Sequence, residues 1–523
     1  MTQPQQGAPL PPDSPGSVIR VAISDSFQEW MSRCGGALAV TTYQAGKVAM
    51  LGWDERAQQV TLLLRQFNKP LGLAVKGRRM ALATRHEVVL LADAPLLARG
   101  FGLADLAHAI ALEAIPGEDR AQLLGALVEL LDEEIEVDPR YGDLANVRER
   151  ELERRIGTAA GWLNAGRPRR EAGRIAFRIA LRSRVVELAE AVTRFAAALT
   201  ELAARERDTP MPDYTYLQAA QPTTAGHWAL SFAYPALRDI ERLRGDFEWG
   251  NRSPAGTGGV NGSRFPLDRE RLAELLGFSR PIEHTRDANW QTDGFADLAS
   301  HAAIAAVGAS RFAEDVELYG SEEFGLLRIG DELCRASALM PQKRNPYALV
   351  VLRGGAGTLI GRATGVLATQ RTPSGRTDNL LYAYGEVAGA VDLAARLLRL
   401  AAAVAESVTI DGERGERLLR ESGAMATDVA EAISLATGRD YRSVYREVGR
   451  DLAAAARDAP EALDPAAAIA TRIVPGGAAP EPMDAMLAGC RDEISRVRAW
   501  SQHERDAIEQ AEQQLVTLAR ALP

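Results

Sequence analysis

Two periods of hydrophobic and polar residues divide the chain. From about Ile19 to Ala94 apolar residues come in short runs: Ala37–Thr42, Val48–Leu51, Val60–Leu64, Met80–Thr84 and Val88–Leu91, separated by Gly, Asp and Lys-Gly turns. Such runs predict short β-strands. Near Pro95 to Gly100 the period changes, and the rest of the chain reads as helix. Asp105–Ala114 and Glu118–Ile135 are amphipathic, with a Pro116-Gly117 break between them. Beyond Arg170, Ile175, Ile179, Val186, Ala189, Val192, Phe195, Leu199 and Leu202 follow steps of three, four and seven, the seam of a long bundle helix ended by Pro210. A second long helix is expected from Thr224, with Pro235 as a kink or a late start. Others are expected at Phe295–Tyr319, Pro346–Thr369 and Asn379–Val408. The fourth carries Gly354, Gly355, Gly357, Gly361 and Gly365, which cost helix propensity and are read as permitting close helix approach. From Thr409 shorter, Ala-rich helices are expected, broken at Pro460, Pro475 and Pro480.

The expected fold class is therefore mainly α: an elongated central helical bundle flanked by smaller helical domains, with a small N-terminal β module. The expected boundaries are a disordered tail at 1–18, the β-strand module at 19–95, a first helical domain at 96–180, the central long-helix bundle at 181–408 and a C-terminal helical domain at 409–523. An isolated five-helix bundle leaves much apolar surface wet. Ala- and Gly-rich seams invite helices from other subunits, so a homo-oligomer is expected.

Composition narrows the function classes. A length of 523 residues implies two to four domains. The 46% hydrophobic and 25% charged residues are those of a soluble globular protein. A net charge of −9 argues against nucleic acid as a partner. The three cysteines, Cys34, Cys334 and Cys490, are far apart, which fits a reducing cytoplasm. The six histidines form no His-x-x-x-His pair, so a zinc site is not expected; no metal and no cofactor enter the expected site. No apolar run is long enough to span a membrane. Met1–Ser17, rich in Pro, Gln and Gly, reads as a tail and not a signal peptide.

The chemistry concentrates in Ser337-Ala338-Leu339-Met340-Pro341-Gln342-Lys343-Arg344-Asn345-Pro346. Ser337 can give or take a proton, Lys343 carries a positive charge, Asn345 is a neutral donor, and Pro341 and Pro346 limit loop motion. Preformed donors of this kind suit an anion that gains charge during reaction. The string resembles the signature loop of the fumarase/aspartase superfamily, and its Gln-Lys-Arg-Asn version resembles the argininosuccinate lyase branch. Three further blocks carry the resemblance. Met211–His227 contains Thr215, Tyr216 and Gln218. Ser253–Arg269 is a Gly-rich loop in which Thr257 and backbone donors are placed to meet a carboxylate. Gly166–Glu171 places Arg169 at a helix start, where aligned N–H groups and a guanidinium favour a carboxylate. The likeness covers about residues 100–520. At 32–36, 42–47 and 69–74 the chain resembles instead the start of a bacterial family of uncharacterised, propeller-like β proteins, with too few strands for a complete propeller.

The resemblance implies a homotetramer whose active sites draw on three subunits, and a lyase that removes a nitrogen group from an N-substituted succinate to give fumarate. It implies Ser337 as base, Lys343 and Asn345 as stabilisers of the doubly charged intermediate, and Arg169, Thr215, Gln218 and Thr257 as groups around a small dicarboxylate substrate. Two positions depart from the pattern. Tyr216 stands where the family has a histidine linked to protonating the leaving group, and Val350 stands where that histidine's glutamate partner belongs. Tyr216 is expected as the replacement acid, although a phenol is a weak one at neutral pH. Gly375-Arg376-Thr377-Asp378 replaces the segment expected to hold an arginine guanidinium, which points to another leaving group. Argininosuccinate lyase itself, and a catalytically silent metabolite-binding or scaffolding homologue, are the alternative readings.

Overall fold

The computed structural model describes residues 24–34, 38–42, 47–54, 58–66, 72–76, 79–83, 88–92, 95–131, 133, 144–371, 375 and 379–522. The expected tail and Arg376 lie outside these residues. The chain forms two compact units, residues 1–95 with 136–147, and residues 96–135 with 148–523. The first holds helix α1 (Asp25–Cys34) and six strands: β1 (Leu38–Thr42), β2 (Lys47–Asp54), β3 (Gln59–Gln66), β4 (Gly72–Lys76), β5 (Arg79–Ala83) and β6 (Val88–Ala92). They form two antiparallel sheets, ordered β1-β2-β3 and β4-β5-β6. Every strand expected from the pattern is present, and β4 is an addition.

The second unit begins with α2 (Pro95–Ala111), α3 (Gly117–Leu131) and α4 (Leu144–Ile156). Leu106, Leu112, Leu123, Leu127 and Leu152 make their shared core. Inside it Asp105 accepts from Arg148 Nε at 3.0 Å and from Arg167 Nη1 at 2.8 Å. His108 lies close by, and burial together with the Arg167 charge lowers its pKa to about 3.

The long helices come next: α5 (Arg169–Arg205), then the hairpin β7 (Pro210–Thr215) and β8 (Gln218–Thr224), then α6 (Ala225–Gly250). Thr224 caps α6 by accepting from the His227 N–H at 3.0 Å, and Pro235 lies within the helix, not at its start. The pair β9 (Arg252–Ser253) and β10 (Arg280–Pro281) brackets α7 (Arg269–Leu275), and α8 (Thr285–Trp290) leads into α9 (Asp293–Tyr319). Beyond it lie β11 (Leu327–Arg328), β12 (Arg335–Ala336), β13 (Arg344–Asn345), α10 (Tyr347–Thr369), α11 (Asn379–Ser407) and β14 (Thr409–Ile410), which pairs with β11.

Helices α5, α6, α9, α10 and α11 form the bundle, as the 3.6-residue period requires. Phe195 of α5 meets Phe312 of α9 edge to face at 5.6 Å, and both are fully enclosed. Truncating either to alanine costs about 3–5 kcal/mol. No break occurs at 180–181, because α5 runs unbroken through it.

The region from 409 starts as expected, with α12 (Gly412–Glu421), α13 (Ala426–Thr437), α14 (Tyr441–Val448), α15 (Leu452–Ala455) and α16 (Pro465–Ala470). It ends otherwise. Helix α17 (Pro480–Ala521) has 42 residues and returns along the bundle. Its Met483, Leu487, Cys490, Ile494 and Val497 join the main core, and its Leu515 and Val516 join the core of α2–α4. Pro480 opens this helix instead of breaking one, since proline is tolerated in a first turn. No helix among the described residues is long and apolar enough to cross a membrane.

Candidate active site

The signature loop hangs between β12 and β13, which close its neck with the pairs Arg335↔Asn345 and Ala336↔Arg344. Asn345 donates from Nδ2 to the Arg335 carbonyl at 3.0 Å, so it clamps the neck. Arg344 donates to Asp331 Oδ1 at 2.5 Å and to the Ile329 carbonyl. The Ser337 hydroxyl accepts from the N–H of Met340 at 3.0 Å and of Leu339 at 3.3 Å. Two donors on one oxygen favour its negative form, which an alcohol acting as base requires. Lys343, in the same loop, is exposed, and its N–H donates to the Met340 carbonyl at 3.1 Å. Gln342, Lys343 and Arg344 also border a cavity of about 510 Å³ shared with Glu317, Glu322 and Arg328. Cys334 is half-buried, and burial pushes its thiol pKa up, which disfavours the nucleophilic thiolate.

Thr215, Tyr216 and Gln218 sit at the hairpin tip. Thr215 pairs with Gln218, leaving a two-residue turn of Tyr216 (φ 55°) and Leu217 (φ 58°). A turn with two left-handed residues follows the twist of a hairpin, but normally takes Asn-Gly. Here a tyrosine and a leucine are forced into it, and Tyr216 is 98% exposed. The hairpin base is fixed by Tyr214, whose ring meets Tyr319 at 5.5 Å and Phe324 at 5.2 Å. Tyr216 and Leu217 border a cavity of about 480 Å³ that reaches down to Phe195 and Leu398 and carries Asp213, Asp239 and Asp315 on its walls. Burial raises the Asp239 pKa to about 6, against the pull of Arg242.

The other blocks lie at the far end of the bundle. Arg169 is the first residue of α5, after the left-handed Gly166. A Cβ on Gly166 would stand 2.7 Å from Ser263 Oγ, so the helix start is pressed against the Gly-rich loop. Buried arginines on α5 anchor that loop's base. Arg178 donates to the Trp249 carbonyl at 3.0 Å, and Arg182 donates to Asn251 Oδ1 at 2.8 Å. Burial lowers their pKa values to about 10 and about 9.

Within the loop Thr257 does not face outward. It is fully buried, and its hydroxyl donates to Glu171 Oε2 at 2.9 Å. The carboxylate that the loop donors meet is the chain's own. Sequence reasoning passed over Glu171 and Asn289, and the signal was an acid in the first turn of α5 facing a loop rich in unspent N–H groups. The exposed hydroxyl of the loop is Ser263.

Helix α5 has 37 residues, so roughly 54 Å separates its ends. Arg169 and the Gly-rich loop stand at one end. The hairpin and the signature loop stand at the other, around the C-terminal end of α9. One copy of the chain does not bring them together. Among the described residues no cluster of His, Cys, Asp or Glu is arranged to hold a metal ion.

A family model described as lyase matches residues 87–361, more than half of the chain, and a domain of unknown function matches residues 25–106. Argininosuccinate lyase of Methanothrix thermoacetophila is 32% identical over 415 residues, spanning 74% of this chain and 85% of that protein. Argininosuccinate lyase of Methanoculleus marisnigri is 32% identical over 457 residues, spanning 81% and 93%. An EDDS lyase variant with bound fumarate shares the fold with a TM-score of 0.73 at 22% identity, over 82% of this chain and 92% of that one. With its signature loop, its bundle and these relatives, the chain belongs to the lyase family, as a carbon–nitrogen lyase of the argininosuccinate lyase-like branch of the fumarase/aspartase superfamily.

Proposed function

We propose that the chain cleaves an N-substituted succinate into fumarate and an amine, with Ser337 as the base. Ser337 takes the proton from the carbon next to the reacting carboxylate. The electron pair passes through the aci-carboxylate, forms the carbon–carbon double bond and expels nitrogen. The nitrogen leaves as an amine once it is protonated. Lys343 and Arg169 hold the charge that develops, a contribution worth roughly 10² to 10³ in rate per well-placed donor, and N–H groups of the Gly-rich loop bind the carboxylate that does not react. Thr215 and Gln218 border the substrate, and Asn345 holds the signature loop closed behind Ser337. The single observation that carries this reading is the Ser337 hydroxyl, which accepts from two N–H donors of the loop that also carries Lys343.

The working form is a homo-oligomer, a tetramer in the reading from the sequence. The separation along α5 supports a site built from segments of different subunits. The contact surface is offered by α10. Among the described residues, only Gly355 of its five glycines packs inside the chain, against Leu397. Gly354, Gly357, Gly361 and Gly365 have open space at Cβ, beside exposed Val350, Val351 and Leu367. Small residues along one exposed face let a second helix approach closely.

The substrate reading turns on Tyr216 and Val350, which replace the pair expected to serve an argininosuccinate leaving group. The kinship with argininosuccinate lyases at 32% identity favours a second reading, argininosuccinate lyase itself. Fumarate release, followed by ultraviolet absorbance over a panel of N-succinyl amines and amino acids with argininosuccinate included, separates the two. Rapid cleavage of argininosuccinate, and of no other adduct, would replace the first reading with the second.

A further inference from the structure

We propose that Glu171 is a positioning residue for the Gly-rich loop: it takes up the loop's inner donors and leaves the N–H groups of Gly258, Gly259 and Val260 for a substrate carboxylate. This rests on the fumarate-forming reading above. Glu171 is 1% exposed. Its Oε1 accepts from the Gly256 N–H at 2.9 Å, and its Oε2 accepts from the Thr257 N–H at 3.1 Å and hydroxyl at 2.9 Å. Arg174 and Arg269 supply the nearby positive charge that a buried carboxylate requires. Asn289 extends the brace, donating from Nδ2 to Thr257 Oγ1 at 2.7 Å and to the Gly259 carbonyl, while its Oδ1 accepts from Arg174 Nη1 at 2.5 Å. Thr285 donates to the Val260 carbonyl at 2.7 Å.

The inner face of the loop is thus fully spent, and its backbone path is fixed. Gly256 (φ 73°), Gly258 (φ 60°) and Gly259 (φ 101°) are left-handed or beyond, and a Cβ on Gly258 would stand 2.3 Å from the Gly262 carbonyl carbon. Among the described residues the N–H groups of Gly258, Gly259 and Val260 have no acceptor. Successive unspent N–H groups in one glycine turn make an anion-binding concavity. Glu171 sets it without touching the ligand.

The test compares wild type, Glu171→Gln and Glu171→Asp. A glutamine turns an N–H₂ group toward loop N–H donors, whereas aspartate keeps the charge. A group that binds substrate and transition state alike changes KM and leaves kcat alone. KM for the cleaved succinyl adduct is expected to rise about tenfold in Glu171→Gln with kcat nearly unchanged, and to return most of the way in Glu171→Asp. The Kd of fumarate, measured by calorimetry, rises by the same factor. A folded Glu171→Gln protein with wild-type KM and wild-type fumarate Kd overturns the proposal. Should that variant fail to fold, Thr257→Val keeps the backbone bonds, removes the hydroxyl and is read in the same way. A wild type that binds fumarate but releases none from any adduct overturns the function reading alone, and fumarate affinity then decides the role of Glu171. A wild type that does neither overturns both.

Discussion

Arg169 and Arg205 are the first and last residues of one unbroken helix, about 54 Å apart. The helix start at Arg169 and the loop that carries Ser337 are therefore held at opposite ends of a rigid rod. A dicarboxylate spans only a few ångströms, so under the proposed function both sets of groups meet it only across subunits. Two damaged subunits should then repair each other. Ser337→Ala and Arg169→Ala proteins are each expected to be inactive in fumarate release, and co-refolded mixtures should regain activity well above either parent. Mixtures that stay inactive although mixed oligomers form would contradict site sharing.

The turn at Tyr216 and Leu217 stores strain that a glycine relieves. A left-handed conformation costs a non-glycine residue roughly 1–2 kcal/mol, part of which glycine returns as unfolded-state entropy. Leu217→Gly is therefore expected to raise stability by about 1 kcal/mol, read from the urea midpoint. A lower midpoint would mean that packing of the leucine outweighs the strain.

Restoring the family histidine alone should not restore its chemistry. Tyr216 is at an exposed hairpin tip, and Val350 is exposed on α10. A histidine without a carboxylate partner has nothing to fix its tautomer. Tyr216→His is expected to leave kcat at or below wild type, and only Tyr216→His with Val350→Glu should accelerate an argininosuccinate-type leaving group. A large gain from the single change would show that the ring needs no partner from α10.

Two buried groups should give opposite pH slopes to stability. Asp239 has a folded pKa of about 6, above the ordinary carboxylate value, so its folded state binds the proton more tightly. Its stabilising protonation is complete below about pH 4 and is lost as pH rises to 6, on the order of 2–3 kcal/mol. His108 has a folded pKa of about 3, below the ordinary imidazole value, so acid protonates the unfolded chain first. Its contribution is lost as pH falls from about 6.5 toward 3, on the order of 4 kcal/mol. Asp239→Asn should leave the histidine slope, with stability rising from pH 4 to 6, and His108→Leu should leave the opposite one. Parallel denaturation profiles for wild type and both variants would contradict these assignments.

The bundle was legible because its period is long and unbroken. Ile175 to Leu202 could pack only as one face of a helix, and they do. Helix α17 was not legible as a bundle helix, because its charged residues outnumber its seam and Pro480 reads as a stop. At the site, the resemblance named Ser337, Lys343 and Asn345, and all three belong to the one loop closed by β12 and β13. It misjudged Thr257, because a hydroxyl in a glycine loop looks available until its acceptor is seen. That acceptor, Glu171, lies more than 80 residues away, and only the packing of α5 under the loop brings it there. The same non-local packing divides the site residues between the two ends of the bundle.

The most direct measurement is the fumarate released by wild-type and Ser337→Ala proteins from one cleaved succinyl adduct. Ser337 accepts hydrogen bonds only from its own loop among the described residues, so the substitution should leave the melting temperature within about 1 °C. The rate is expected to fall by roughly 10³-fold or more. An alanine variant that releases fumarate at the wild-type rate would remove Ser337 as the base.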